Sequence, residues 1–286
     1  MISARAQFKR AVLGLQLDVL DRETIEVAAG LAELLEVDLH GLFVLDDTLR
    51  ELADYPSARE FVLTTRGWRP IDLERLLREQ DLAARTAQRM FTQVAKAVRV
   101  PSTFEIVPGP AARTFASVSG ATDILIIAEP RPASACVTRS FSVSVEAAIR
   151  STAAVLLIPR SVLRRSGPIV VIAAAPDDPA IETGSAIAAA AQEGMIIVEA
   201  YEGMSGAARA AAINGRSVIH RTPATGQSLS DMRRLSELIG DRNESLIVLT
   251  RESFYRAGDR TAIDIAESRR VPVLILGPWR PRRTQK

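Results

Sequence analysis

The sequence predicts an α/β protein built from two Rossmann-like domains in tandem, each a five-stranded parallel sheet. Two observations carry that prediction. Short apolar runs bounded by turn residues alternate with longer segments of 3.6-residue apolar period, the pattern of parallel strands covered by helices. The order β-α-β-α-β-α-β-α-β then occurs twice, once before and once after the polar, basic stretch "RSVLRRSG" at 160–167. A repeated order of elements suggests a duplicated unit, with domains at 1–160 and 167–286, although the repeat is too diverged to be seen residue by residue.

In the first half, "RAVLGLQ" (10–16), "DLHGLFVL" (38–45), "STFEIV" (102–107), "DILIIA" (123–128) and "AAVLLIP" (153–159) read as strands. The first helix is "RETIEVAAGLAELLEV", with Ile25, Ala28, Ala29, Ala32 and Leu35 on one side. The longest helix spans about 71–99. Leu73, Leu76, Leu77, Gln80, Ala84, Ala87, Phe91, Val94 and Val98 recur there at three- and four-residue steps. Such a stripe fits a helix lying on a sheet, or a seam for a partner helix. Further helices are expected near 111–120 and 143–151.

In the second half the strands are "PIVVIAAA" (168–175), "MIIVEAY" (195–201), "RSVIHR" (216–221), "SLIVLT" (245–250) and "VPVLILG" (271–277). A helix follows Asp178-Pro179, a good entrance with Asp as N-cap and Pro at the first helical position. Others are expected near 228–241 and 260–270. The halves differ between their second and third strands. There the first half carries the insert 46–70, while the second has only "EGMSGAARAAAING".

Composition narrows the function. The 286 residues are 47% hydrophobic and 24% charged, as in a water-soluble globular protein. Lys and Arg total 36 against 34 Asp and Glu, a net charge of +2 that gives little support for nucleic-acid binding. The lone Cys136 cannot close an internal disulfide. "MISARAQFKR" lacks a signal-peptide core, and no apolar run reaches the ~20 residues of a membrane span. A cytoplasmic protein with neither nucleic-acid nor membrane partner is expected.

The order of elements resembles the universal stress protein family. "LAELLEVDLHGLFVLDD" looks like that family's first helix and second strand, and "SVEAAIRSTAAVLLIPR" like its final helix and fifth strand. The resemblance implies a nucleotide crevice whose loop, after the fourth strand, has the form G-x2-G-x9-G-[ST]. Loop and helix N–H groups of that kind hold phosphates. On "AEPRPASACVTRSFSV" the pattern places Ala128, Arg131 and Phe141 at the glycines and Ser142 at the last position. Ala, Arg and Phe do not offer both positive φ and close backbone approach, and Pro130 and Pro132 lack N–H donors. Gln16 stands where nucleotide-binding members carry Asp. The second half departs further, with Gly258 as its loop's one glycine and alanine in place of that Asp.

The resemblance therefore implies a tandem protein with degenerate nucleotide motifs and no catalytic machinery, in which no cofactor, ATP included, is expected. The degenerate crevice would comprise Gln16, Val44, Ala128, Arg131, Arg139, Phe141 and Ser142. The alternative is a nucleotide-binding member, or a small α/β enzyme, using the same crevice. The family also implies pairing of fifth strands, so "AAVLLIP" and "VPVLILG" are predicted to meet inside one chain as a pseudo-dimer. A homodimer is a further option.

Other candidates have simpler readings beside them. Arg131, Arg139, Ser134, Thr138, Ser140 and Ser142 could hold a different anion through side chains, or form a solvated loop with a helix cap. In the insert, Tyr55, Arg59, Phe61, Arg66, Trp68 and Arg69 could line a ligand or partner surface, or simply cover an apolar edge. His40 and His220 lack partners at metal-ligand spacing. No nucleophile motif accompanies Cys136. Asp46-Asp47 and Asp177-Asp178 lie at strand ends, where turn and capping roles compete with ligand binding.

Overall fold

The computed structural model describes residues 8–16, 21–45, 55, 57–62, 64, 66–130, 139–199, 210–213, 216–221, 237, 239–240, 243–252 and 261–277. The first half contains β1 (Arg10–Leu15), α1 (Arg22–Leu35), β2 (Asp38–Leu45), β3 (Arg59–Val62), β4 (Gly67–Pro70), α2 (Leu73–Ala97), β5 (Ser102–Pro108), α3 (Ala111–Val118), β6 (Asp123–Ala128), α4 (Arg139–Arg150) and β7 (Ala154–Ile158). The second contains β8 (Ile169–Ala173), α5 (Pro179–Ala191), β9 (Met195–Glu199), β10 (Ala210–Ile213), β11 (Arg216–Arg221), β12 (Leu246–Thr250), α6 (Thr261–Arg269) and β13 (Val273–Leu276).

Eleven strands form one continuous sheet in the order β10-β11-β9-β8-β12-β13-β7-β6-β1-β2-β5. The two five-stranded sheets expected from the sequence form one here, because the two fifth strands meet: β13, within "VPVLILG", pairs antiparallel with β7, within "AAVLLIP", in the register Val273↔Leu157, Leu274↔Leu156 and Ile275↔Val155. On the β7 side, β6, β1, β2 and β5 add on in parallel. On the β13 side, β12, β8, β9 and β11 do the same. β7 and β13 are buried along their whole length. Apolar side chains on both faces of both strands favour a central position, with helices covering each side.

Two features of the sheet were not legible. β10 pairs antiparallel with β11 at the outer edge, although "AAAI" has no strand propensity to speak of. The insert contains a separate two-stranded sheet, in which Phe61 faces Trp68 and Glu60 faces Arg69. The helix expected at 228–241 falls largely outside the described residues.

Helix boundaries follow local chemistry. The Asp21 side chain accepts the Thr24 N–H and starts α1, and the Asp72 side chain accepts the Arg75 N–H and starts α2. α1 ends at Glu36 in the left-handed region, whose N–H turns back to the carbonyls of Ala32 and Glu33. Ile25, Ala28, Ala29, Ala32 and Leu35 are buried as the periodicity predicts. In α2 the buried stripe runs from Gln80 through Ala84, Ala87 and Phe91 to Val94.

Core side chains divide between the two faces of the sheet. α1, α2 and α5 pack on one face with Leu13, Ile126, Leu156, Val171 and Leu274. α3, α4 and α6 pack on the other with Val12, Leu125, Val155, Ile172 and Ile275. Consecutive residues alternate between these clusters, the period of two that a strand imposes. No described helix is long and apolar enough to cross a membrane.

Candidate functional site

In an open parallel sheet, ligands bind beyond the carboxyl ends of the strands. There the structure places Gln16, Val44 and Ala128, at the ends of β1, β2 and β6. They do not share one surface. Val44 is buried with Leu42 and Phe115 on the α3 face, whereas Ala128 is buried with Ile124 and Ile126 on the α1 face. Gln16, half-buried, follows β1 directly. A β-carbon added at Gly14, two residues earlier, would lie 2.8 Å from the Phe115 ring. Glycine at position 14 is what lets α3 settle this close to β1.

The chain leaving β6 is held by a compact polar network. The Glu129 N–H donates to the Ile158 carbonyl at 2.9 Å. The Glu129 carboxylate accepts the Arg160 N–H at 3.0 Å and its guanidinium at 2.7 Å. Arg160 Nε also donates to the Pro130 carbonyl at 3.2 Å. These bonds staple the exit of β6 to the exit of β7. Glu129 and Pro130, the first two positions past the strand, therefore present no free N–H: one is bonded and the other has none. The sequence reading missed this pair, whose signal was a Glu directly after one central strand and an Arg two residues past the end of the next.

Arg131, Ser134, Cys136 and Thr138 lie outside the described residues, as do Asp46 and Asp47. Arg139, Ser140, Phe141 and Ser142 form the first turn of α4, which starts four residues before the expected 143. Further along that helix, Ser144 is buried and its hydroxyl has no hydrogen-bond partner among the described residues.

The corresponding edge of the second half is closed by Asp178. This buried residue caps α5: Oδ1 accepts the Ala180 N–H at 2.9 Å and Oδ2 the Ala174 N–H at 2.7 Å. Thr250 Oγ1 lies 3.3 Å from Oδ2, tying in the end of β12. Asp178 therefore faces backbone, while Asp177 is exposed.

The insert hairpin carries an exposed aromatic pair. Phe61 and Trp68 meet edge to face with ring centroids 5.2 Å apart, and Tyr55 is also exposed. Arg69 reaches Glu60 at 2.6 Å, and Arg75 of α2 reaches the same carboxylate at 2.5 Å. Those two guanidinium groups hold the Glu60 carboxyl below its ordinary range. Arg59 and Arg66 are exposed, with Arg66 at φ 48° in the turn.

The two histidines fall in different halves, on β2 and β11. His40 is buried near the amino end of β2, away from the crevice. Its Nδ1 lies 2.8 Å from Thr103 Oγ1 and its Nε2 3.6 Å from Glu105. Desolvation, then Arg10, push its pKa below the ordinary value against the pull of Glu105 and Asp123. Among the described residues, no group of three or more His, Cys, Asp and Glu side chains could hold a metal ion.

No family model and no curated protein matches the chain. Among solved structures, it is similar to a universal stress protein from Archaeoglobus fulgidus DSM 4304. The TM-score is 0.63 at 15% sequence identity, over 93% of this chain and 96% of that one. A functionally unknown protein from Pseudomonas aeruginosa PAO1 aligns at TM-score 0.49 and 14% identity, over 95% of this chain and 93% of that one. What the chain shares with the Archaeoglobus protein is its fold.

Proposed function

We propose that the chain is a tandem universal stress protein with a regulatory or ligand-sensing role, no catalysis, and weak or absent ATP binding. The observation that carries this reading is the Glu129–Arg160 staple. A phosphate cradle needs several free N–H groups converging on one point. Here the first backbone donor past β6 is bonded to Ile158, the next residue is proline, and the nearby cation is paired with a carboxylate. The replacements at Ala128, Arg131 and Phe141 point the same way.

The β7–β13 joint supports the companion proposal of a built-in pseudo-dimer, two five-stranded units joined edge to edge in one polypeptide; a cytoplasmic location belongs to the same proposal. Calorimetric titration with ATP, ADP and AMP tests the reading. Heats no larger than dilution support it. Micromolar binding of any of the three favours the alternative, a nucleotide-binding protein using Gln16, Val44 and the 131–142 loop.

A further inference from the structure

We propose that a cavity between the two halves binds a medium-chain aliphatic carboxylate. The cavity measures about 330 Å³ and lies on the α1 face of the sheet, walled by α1, α5, β7 and the 160–167 stretch. In the second half it opens at the amino ends of β8 and β12, the sheet edge opposite the strand ends where the nucleotide crevice is expected. Its size falls in the range of small-ligand sites, ~300–1,000 Å³.

The wall chemistry selects an aliphatic tail. Leu31, Leu34, Leu156, Ile169, Ile187 and Leu246 line the space, and no aromatic side chain among the described residues does. Gly30 leaves its part of the α1 wall open: a β-carbon added there meets no atom within 4 Å.

The rim selects an anion. Glu26 is already engaged by Arg22 and Arg165, each at 2.9 Å. Glu193 accepts the Gly167 N–H at 3.0 Å, and the Ser245 hydroxyl donates to the Gly167 carbonyl at 2.8 Å. Arg164 is different. It lines the cavity half-buried, with no ion-pair or hydrogen-bond partner among the described residues. A cation at the mouth of an aliphatic slot matches a carboxylate with an alkyl chain behind it, the carboxylate taking paired N–H bonds from the guanidinium.

This site gives the ligand-sensing reading a ligand class and rests on that reading for its role only. Calorimetric titration of the full chain with hexanoate, octanoate and decanoate, below their micellar concentrations, tests it. Affinity should rise about fourfold per added methylene, and decanol should bind more weakly than decanoate. Arg164→Gln should remove the preference for decanoate over decanol and leave decanol binding in place. Gly30→Leu should abolish both by filling the cavity, with the circular dichroism of the native fold retained. No saturable binding of decanoate, or binding that survives both substitutions, overturns the proposal. Nucleotide titration of the same sample reads the other edge of the sheet, so either reading can fail without the other.

Discussion

Leu274 of β13 lies directly across from Leu156 of β7, and both are buried at the midpoint of an eleven-stranded sheet. That antiparallel contact is the joint between the halves. The buried Arg251 reinforces it, reaching across to donate to the carbonyls of Ser151 and Ala153 beside β7. Truncation at the joint should therefore destabilise the whole molecule. Leu274→Ala is expected to cost about 2–5 kcal/mol in urea denaturation followed by circular dichroism, with a lower midpoint for both halves.

Asp178 should behave as a structural residue. Asp178→Ala removes a helix cap and leaves the buried Ala174 N–H unpaired, so a loss of about 2–4 kcal/mol is expected. Asp178→Asn keeps one oxygen acceptor and should cost less. Equal losses from the two variants in thermal melts would point to the charge as the important feature.

Two glycines should respond in opposite directions. Gly30 lies inside α1 with open space at its β-carbon position, so Gly30→Ala should stabilise by about 0.5–1 kcal/mol through helix propensity. Gly167 has φ +133°, and a β-carbon there would lie 1.8 Å from the Asn243 carbonyl oxygen. Gly167→Ala should cost at least about 2 kcal/mol. Chemical denaturation of the two variants side by side reads both signs.

His40 should make stability depend on pH near neutrality. Its folded pKa lies below the unfolded value of 6.5, so the unfolded chain binds the proton first. The contribution is complete above pH 6.5 and is lost as pH falls through the folded pKa. Glu26 and Glu60, also lowered, act only below their ordinary 4.5 and so fall in a separate window. His40→Gln should flatten the urea midpoint between pH 5 and 7; an unchanged slope would place the dependence elsewhere.

Ser144 offers a gain. Its buried hydroxyl has no partner among the described residues, so Ser144→Ala should remove a desolvation cost and improve α4 by about 1 kcal/mol. A melting temperature at or below the parent's would contradict this.

The strands of the main sheet were legible because burial on both faces leaves continuous apolar runs such as "DILIIA" and "AAVLLIP". Helices such as α1 showed in their period and their Asp caps. What stayed hidden depended on contacts distant in sequence. β10 is a strand because β11 lies beside it, and Ala210 to Ile213 carry no such preference alone. The crevice was legible only as backbone frame. Gln16, Val44 and Ala128 reach the same sheet edge, but strand alternation sends Val44 and Ala128 to opposite faces. Glu129 and Arg160, 31 positions apart, meet only because β6 and β7 are neighbours. The cavity beside Arg164 requires α1 and α5 to approach from different halves, which no local pattern encodes.

The function proposed above depends on this sheet lacking the phosphate cradle of a nucleotide site. Equilibrium dialysis of the full chain against labelled ATP and magnesium tests that most directly. Equal ATP on both sides of the membrane is expected throughout the micromolar range. Saturable retention of one ATP per chain in that range would contradict it.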